Sequence, residues 1–329
     1  MPRQEALVSK RWLCSIVLFS ASIGCLAAGE AQAANRLVTI WDDILEDTTF
    51  RKDYTYLVDG EVHVLAGVRL RIEDGVTILI KNGKIKRRTI DRSALVFDQG
   101  SRLDAMTFHV RAAGLDGRPE RRADNGGIWF LGAFHEASKD DVSVIIDRYS
   151  KPSNFTATEI NTTDLGTSDP VPSARNLNPR GDDIDGFSVL GVGPGEWNIK
   201  SVRSDFSADD GFDVTNSDIE LDSLIVNSPF EDGLNISSSR VRVIKNLTVN
   251  MTANKTVFDR DIFDLEVDDG PSYVTMSKGC RIKIDGVLGD EIKVRSADLP
   301  RKDRQGREHF HFDGNSRRGT TSIYSRDQD

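Results

Sequence analysis

The chain's 329 residues are 38% hydrophobic and 29% charged, with a formal net charge of −9. That length supplies a substantial core without covalent staples, in one elongated domain or two compact ones. The acidic balance argues against a nucleic-acid partner, because phosphate backbones favour basic surfaces and the basic runs at 84–88 and 301–307 are short, with acidic neighbours.

At the start of the chain, Arg3, Lys10 and Arg11 precede an apolar run over 12–28, and Ala31-Gln32-Ala33 offers small residues before Ala34. This pattern predicts a secretory signal peptide over 1–33 and export to the periplasm or the cell exterior. Ser15, Ser20, Ser22 and Gly24 interrupt a run already shorter than the roughly 20 apolar residues that cross a bilayer, so no transmembrane segment is expected once the signal is removed. Ile23-Gly24-Cys25 also leaves acylation of Cys25 open. Cleavage removes Cys14 and Cys25 and leaves Cys280 alone, which forbids an intramolecular disulfide.

Residues 34–60 suit an N-terminal cap or lead-in, since the end of a repeat stack otherwise exposes apolar surface. Strand-like text follows at 62–65, 68–72, 76–80 and 94–97, punctuated by Gly67, Gly75 and Gly100. In Val68-Arg69-Leu70-Arg71-Ile72 the apolar residues fall on one face and the arginines on the other. Gly126-Gly127-Ile128-Trp129-Phe130 resumes this text after a charged loop. Residues 151–179 are rich in Ser, Thr, Asn and Pro and predict a surface excursion, where Asn154 and Asn161 are the better-placed glycosylation acceptors.

From 198 to 249 a shift of 22 positions places Ile199 on Leu221, Val202 on Leu224, Asp210 on Asp232 and Gly211 on Gly233. Phe212-Asp213-Val214 then falls on Leu234-Asn235-Ile236, an apolar-polar-apolar alternation that suits a short strand. The same phase begins at Asp185-Gly186-Phe187 and returns at Asp261-Ile262-Phe263 after an insertion at 251–261. A period of this kind persists when each coil cannot bury its apolar side alone and its neighbours extend one core. Gly211 and Gly233 are expected at sharp corners, with Asp210 and Asp232 as turn partners. Asn227 and Asn250, each closing an apolar run, are expected to stack or to satisfy corner amides. After Ala297 the composition turns to Arg, Asp, Gln, Gly and His, which predicts a charged C-terminal extension over 298–329.

The glycine-marked short strands from 62 to 294, centred on Gly186, Gly211 and Gly233, resemble the pectin-lyase-like superfamily of right-handed parallel β-helices. The resemblance implies an all-β, single-stranded solenoid over 61–297, whose lateral face suits an extended polysaccharide. It brings no catalytic set with it. The glycine-histidine-glycine motif of polygalacturonases is missing, Arg281-Ile282-Lys283 is too common to stand for it, and the calcium and arginine pattern of a pectate lyase is not identifiable.

The best local site is the acidic ladder of Asp209, Asp210 and Asp213 with Glu231, Asp232 and Asn235. Two mechanisms use it differently. In glycoside hydrolysis Asp232 donates the proton while Asp210 acts as base or directs the nucleophile. In a calcium-assisted uronate lyase, Asp209, Asp213 and Glu231 hold Ca2+, which stabilises charge during proton abstraction. Trp197, ahead of a strand, is the better exposed sugar platform, with Asn235 as a polar contact; Trp129 sits in an apolar run and favours burial. His309 and His311 are a pair without identifiable companions. A non-catalytic envelope, adhesion or carbohydrate-binding role is the alternative, in which the acids only organise turns.

Overall fold

The strand Arg69–Ile72 buries Leu70 and Ile72 and exposes Arg69 and Arg71, as its two-residue period requires. The same alternation builds the rest of the chain, which a computed structural model describes over residues 36–86, 89–91, 93–121, 124–134, 151–167, 186–251, 261–266, 272–277, 279–286, 292–294, 310–314 and 321–325. All of these belong to one unit, Asn35–Asp329. The expected signal segment, including Cys25, lies outside the described residues, as does His309. No helix among the described residues is long and apolar enough to cross a membrane.

Consecutive coils pair in parallel, giving a right-handed parallel β-helix. One sheet runs from Glu61–Val64 through Ala94–Phe97, Gly127–Leu131, Phe187–Leu190, Asp213–Thr215 and Leu234–Ser237 to Phe263–Glu266. The larger sheet supplies two further faces. Strand Asn154–Thr163 pairs through its first residues with Arg102–Ala105 and through its last with Thr107–Ala113, so a single long strand bends across two sides of the coil.

The 22-residue phase is a true register. Asp213 pairs with Asn235, Val202 with Leu224 and Leu221 with Val243. The outlying copies hold as well: Ser188 pairs with Asp213 and Leu234 with Phe263. Between Leu221 and Ser223 the partner strand Arg240–Asn250 carries one extra residue, so pairing resumes at Ser223 with Asn246. Such a bulge locally kinks and twists its strand while the face assignment recovers beyond it.

The core is a column of aromatic rings along the helix axis. Phe97 stacks on Phe130 at 5.1 Å, Phe130 lies 5.5 Å from Phe187, and Phe187 stacks on Phe212 at 5.3 Å. All four side chains are buried, so each contributes transfer free energy of roughly 2–3 kcal/mol together with its ring contacts.

Two corner columns use left-handed backbone. Asp164, Phe206 and Ser228 have φ of 55°, 58° and 53°, and each donates its N–H to a carbonyl of the next coil, that of Asp205, Asn227 and Asn250. Gly191, Asn216 and Ser238 repeat the device at a second corner. Non-glycine residues so held cost on the order of 1 kcal/mol or more each, and the inter-coil hydrogen bonds fix them. Gly211 and Gly233 are not such corners, contrary to the sequence expectation, since neither has φ in the left-handed region. They are glycine for space: a Cβ on Gly211 would stand 2.2 Å from Val226 Cγ1 and 2.6 Å from the Gly233 carbonyl oxygen.

Three segments carry strands that their sequence did not announce. Residues 34–60 hold Arg36–Ile40, Thr48–Phe50 and Tyr54–Val58, all in parallel register with later strands, so the stack begins inside the expected cap. Within 151–179, Asn154–Thr163 is a ten-residue strand that carries both Asn154 and Asn161, and its weak apolar signal, Phe155, Ala157 and Ile160 among threonines, explains the loop reading. Residues 168–179 lie outside the described residues. Near the C-terminus, Phe310–Gly314 and Thr321–Ser325 are strands that pair antiparallel with Arg281–Gly286 and Tyr273–Met276.

Candidate functional site

Each coil leaves the second long face at a left-handed corner and must then turn into the smaller sheet. The segment after Phe206 does so over Ser207 to Gly211, and the next coil repeats the path over Pro229 to Gly233. Ala208 N donates to Leu165 O, while Phe230 N donates to Ser207 O, which lays the second turn along the first. This stacking brings carboxylate oxygens of Asp209, Asp210 and Glu231 within 4.8 Å of one another, with both aspartates buried.

The phase relation between Asp210 and Asp232 has a direct structural expression. Asp210 Oδ1 accepts the Asp232 N–H at 2.8 Å, and Asp232 Oδ1 in turn accepts the N–H of Asp261. Alongside, Gly211 N donates to Asp232 O and Gly233 N to Asp261 O. The corner aspartates are therefore linked across coils through backbone amides.

Electrostatics separate the members of this group. Burial, then the neighbouring Asp210 carboxylate, pushes Asp232 up to about 9, against the lowering effect of the Asp261 amide. Asp213 is also held well above the usual carboxylate range, first by burial and then by Asp210, while hydroxyls of Ser188 and Thr215 oppose the rise. A carboxyl kept protonated at neutral pH beside a second carboxyl is the kind of pair that acid–base chemistry uses. Three clustered hard oxygen donors equally suit a hard cation such as Ca2+, whose charge would offset the crowding.

The site residues expected from sequence divide accordingly. Asp209 and Glu231 meet, but their third partner is Asp210, because Asp213 has entered the strand Asp213–Thr215 and turned to Ser188 and Thr215. Asn235 pairs with Asp213 in register, and its Oδ1 is buried without a hydrogen-bond partner, so it does not present that oxygen to a ligand. Trp197 is not the exposed platform that was expected. It is 6% exposed and packs edge-on against Phe130 at 5.6 Å, because it is the first inward position of its strand. Trp129 is buried as expected, on the other side of its sheet, with Ala94, Val96, Leu131 and Leu190. Asn227 stacks as anticipated, donating from Nδ2 to Asp205 Oδ1 at 2.8 Å.

Two polar centres escaped the sequence reading. Glu196, 5% exposed, accepts the N–H groups of Ala133, Ser153 and Gly193, tying three separate turns to one carboxylate. His63 lies between Asp98 Oδ1 at 2.7 Å and Glu61 Oε1 at 2.9 Å. The Glu61-Val62-His63 alternation shows that the first pair shares a face; Asp98 belongs to another coil, at a spacing the regular period does not give.

An open depression of about 560 Å³ lies beside Lys151, lined by Arg69, Arg102, Asp104, Asn154 and Thr156. Arg69 and Arg102 are direct partners in the parallel register. In comparisons with protein-family models, curated proteins and solved structures, nothing matched this chain.

Proposed function

We propose that this chain is an exported carbohydrate-binding β-helix that holds a calcium ion at Asp209, Asp210 and Glu231. The meeting of those three carboxylates within 4.8 Å carries the reading, since it gathers hard donors from two coils at one corner. A rigid parallel stack offers an extended glycan a long lateral surface, and the polar depression beside Lys151 supplies cationic and hydroxyl groups along it. The Asp210 and Asp232 oxygens that accept backbone N–H groups favour a scaffold role over a hydrolytic one.

A second reading has its own support. Asp232, pushed up to about 9, carries its proton at neutral pH, as the general acid of a glycoside hydrolase must. A calcium-assisted uronate lyase would use the same corner for the ion instead.

One experiment separates these readings. The protein without its first 33 residues is incubated with neutral and uronate-containing glycans, with calcium or with a chelator, and both binding and products are followed. Calcium-dependent binding without products supports the proposal, and Asp209→Asn should weaken calcium affinity roughly 10-fold or more. Saturated products that vanish in Asp232→Asn establish hydrolysis, and unsaturated-uronate absorbance establishes a lyase. Equal binding with and without calcium removes the metal from the account.

A further inference from the structure

Away from the acidic corner, the N-terminal coils carry a second concave site. Alternation sends Thr55, Thr77 and His109 outward from three successive coils, and the parallel register stacks them in one row. The next outward row is Leu57, Leu79, Arg111 and Thr163. Adjacent strands lie about 4.8 Å apart, so these rows form a continuous floor.

A loop then covers part of that floor. After Ala113 the chain turns through 114–120 and returns, closed by Gly114 N to Arg118 O at 2.8 Å and Glu120 N to Ala112 O at 3.1 Å. Its tip rests on the sheet at Gly117, where φ is +76° and a Cβ would stand 2.9 Å from Leu57 Cδ2. Glycine thus satisfies both the dihedral angle and the close approach. Between loop and floor is a cleft of about 500 Å³, a size typical of small-molecule sites.

The lining is sorted by chemistry. Leu37, Leu79 and Pro119 give an apolar wall, while Thr55, Thr77 and His109 offer hydrogen-bonding groups. Arg111 and Arg118 bring positive charge from the floor and the loop. Arg111 Nε is buried and has no hydrogen-bond partner, although Asp164 is close enough to interact with its charge. Arg118 lies 3.7 Å from Asp116, but both side chains are largely exposed, so that pair is weak. Arg111 and Arg118 both line the cleft, and a planar guanidinium matches the two oxygens of a carboxylate.

We propose that this cleft binds a small hydroxylated organic carboxylate, with its anionic end on Arg111 and Arg118, its hydroxyls on the threonine row and its carbon body against Leu79 and Pro119. The carbon body distinguishes the ligand from inorganic phosphate, and the covering loop distinguishes it from a polymer lying along the coil. The site is separate from the acidic corner and does not depend on the calcium reading.

Titration calorimetry on the folded protein with lactate, glycerate and gluconate tests it, using the corresponding neutral alcohols and inorganic phosphate for comparison. At least one carboxylate should bind roughly 10-fold or more tighter than its neutral counterpart and than phosphate, the order expected of a charge-assisted pair. Arg111→Gln should remove that preference with the thermal transition retained, and Asp209→Asn should leave it intact. Should Arg111→Gln fold poorly, Thr77→Val, which keeps volume and removes a hydroxyl, should weaken hydroxy-acid binding several-fold, on the order of one lost hydrogen bond. No carboxylate binding, equal affinity for the neutral compounds or phosphate, or binding unaffected by both cleft variants would overturn the proposal.

Discussion

Asp210 Oδ1 accepts the backbone N–H of Asp232, the residue one coil further on, at 2.8 Å. Asparagine at 210 keeps an acceptor oxygen and removes a charge that crowds Asp213 and Asp232, whereas alanine leaves the amide without its partner. Asp210→Ala should therefore lose about 1–3 kcal/mol, read as a lower Tm and denaturation midpoint, while Asp210→Asn stays near the parent or rises. Equal loss in both variants would show that charge, not the amide link, matters at this corner.

Gly211 is enclosed by Val226 and the Gly233 carbonyl, at 2.2 and 2.6 Å from a built Cβ. The valine side chain can yield, but the carbonyl belongs to the next coil. Gly211→Ala should cost about 1–3 kcal/mol, and a second change, Val226→Ala, should restore none of the part due to the carbonyl. Chemical denaturation of the single and double variants measures the split.

Burial of Trp197 against Phe130 makes it a stability residue. Trp197→Ala should lower stability by about 3–5 kcal/mol, while Trp197→Phe loses much less. Glycan affinity of the folded Phe variant should match the parent. A binding loss in Trp197→Phe without a change in Tm would return this residue to the ligand surface.

At His63 burial works to lower the pKa, but the hydrogen bonds its ring N–H groups donate to Asp98 and Glu61 outweigh it and push the imidazole up to about 10. Because this folded value exceeds the unfolded one of 6.5, the contribution to stability is complete below about pH 6.5 and is lost as pH rises toward 10. His63→Asn should be less stable than the parent at pH 6, and the gap in Tm should narrow steadily up to pH 10. A gap that is constant or widens with pH would contradict a charged imidazole between the two acids.

The repeat around Gly211 and Gly233 was legible because Phe212 and Val214, like Leu234 and Ile236, occupy identical phases on both sides of a single polar residue. Phase also brought Asp210 and Asp232 to one corner. It could not say where their oxygens point, since two-residue alternation stops where the strand stops; the amide bonds of the turn decide that. The inward direction of Trp197 was hidden because the residue opens its strand, with no alternation before it to set the face. Strand Asn154–Thr163 was obscured by threonines, which suit a strand's outer face as well as a loop. His63 with Asp98, and Arg111 under the 114–120 loop, depend on coils of unequal length, so no fixed spacing announces them.

The antiparallel pairing of Phe310–Gly314 and Thr321–Ser325 bears on how copies of this protein meet. Parallel coils template one another, since the free amides and carbonyls of one layer match those of an identical layer set above it. Strands running the opposite way break that match. On the side where Phe310–Gly314 lies against Arg281–Gly286 the outer strand runs in reverse, and a second molecule cannot simply continue the winding there to seed a fibre.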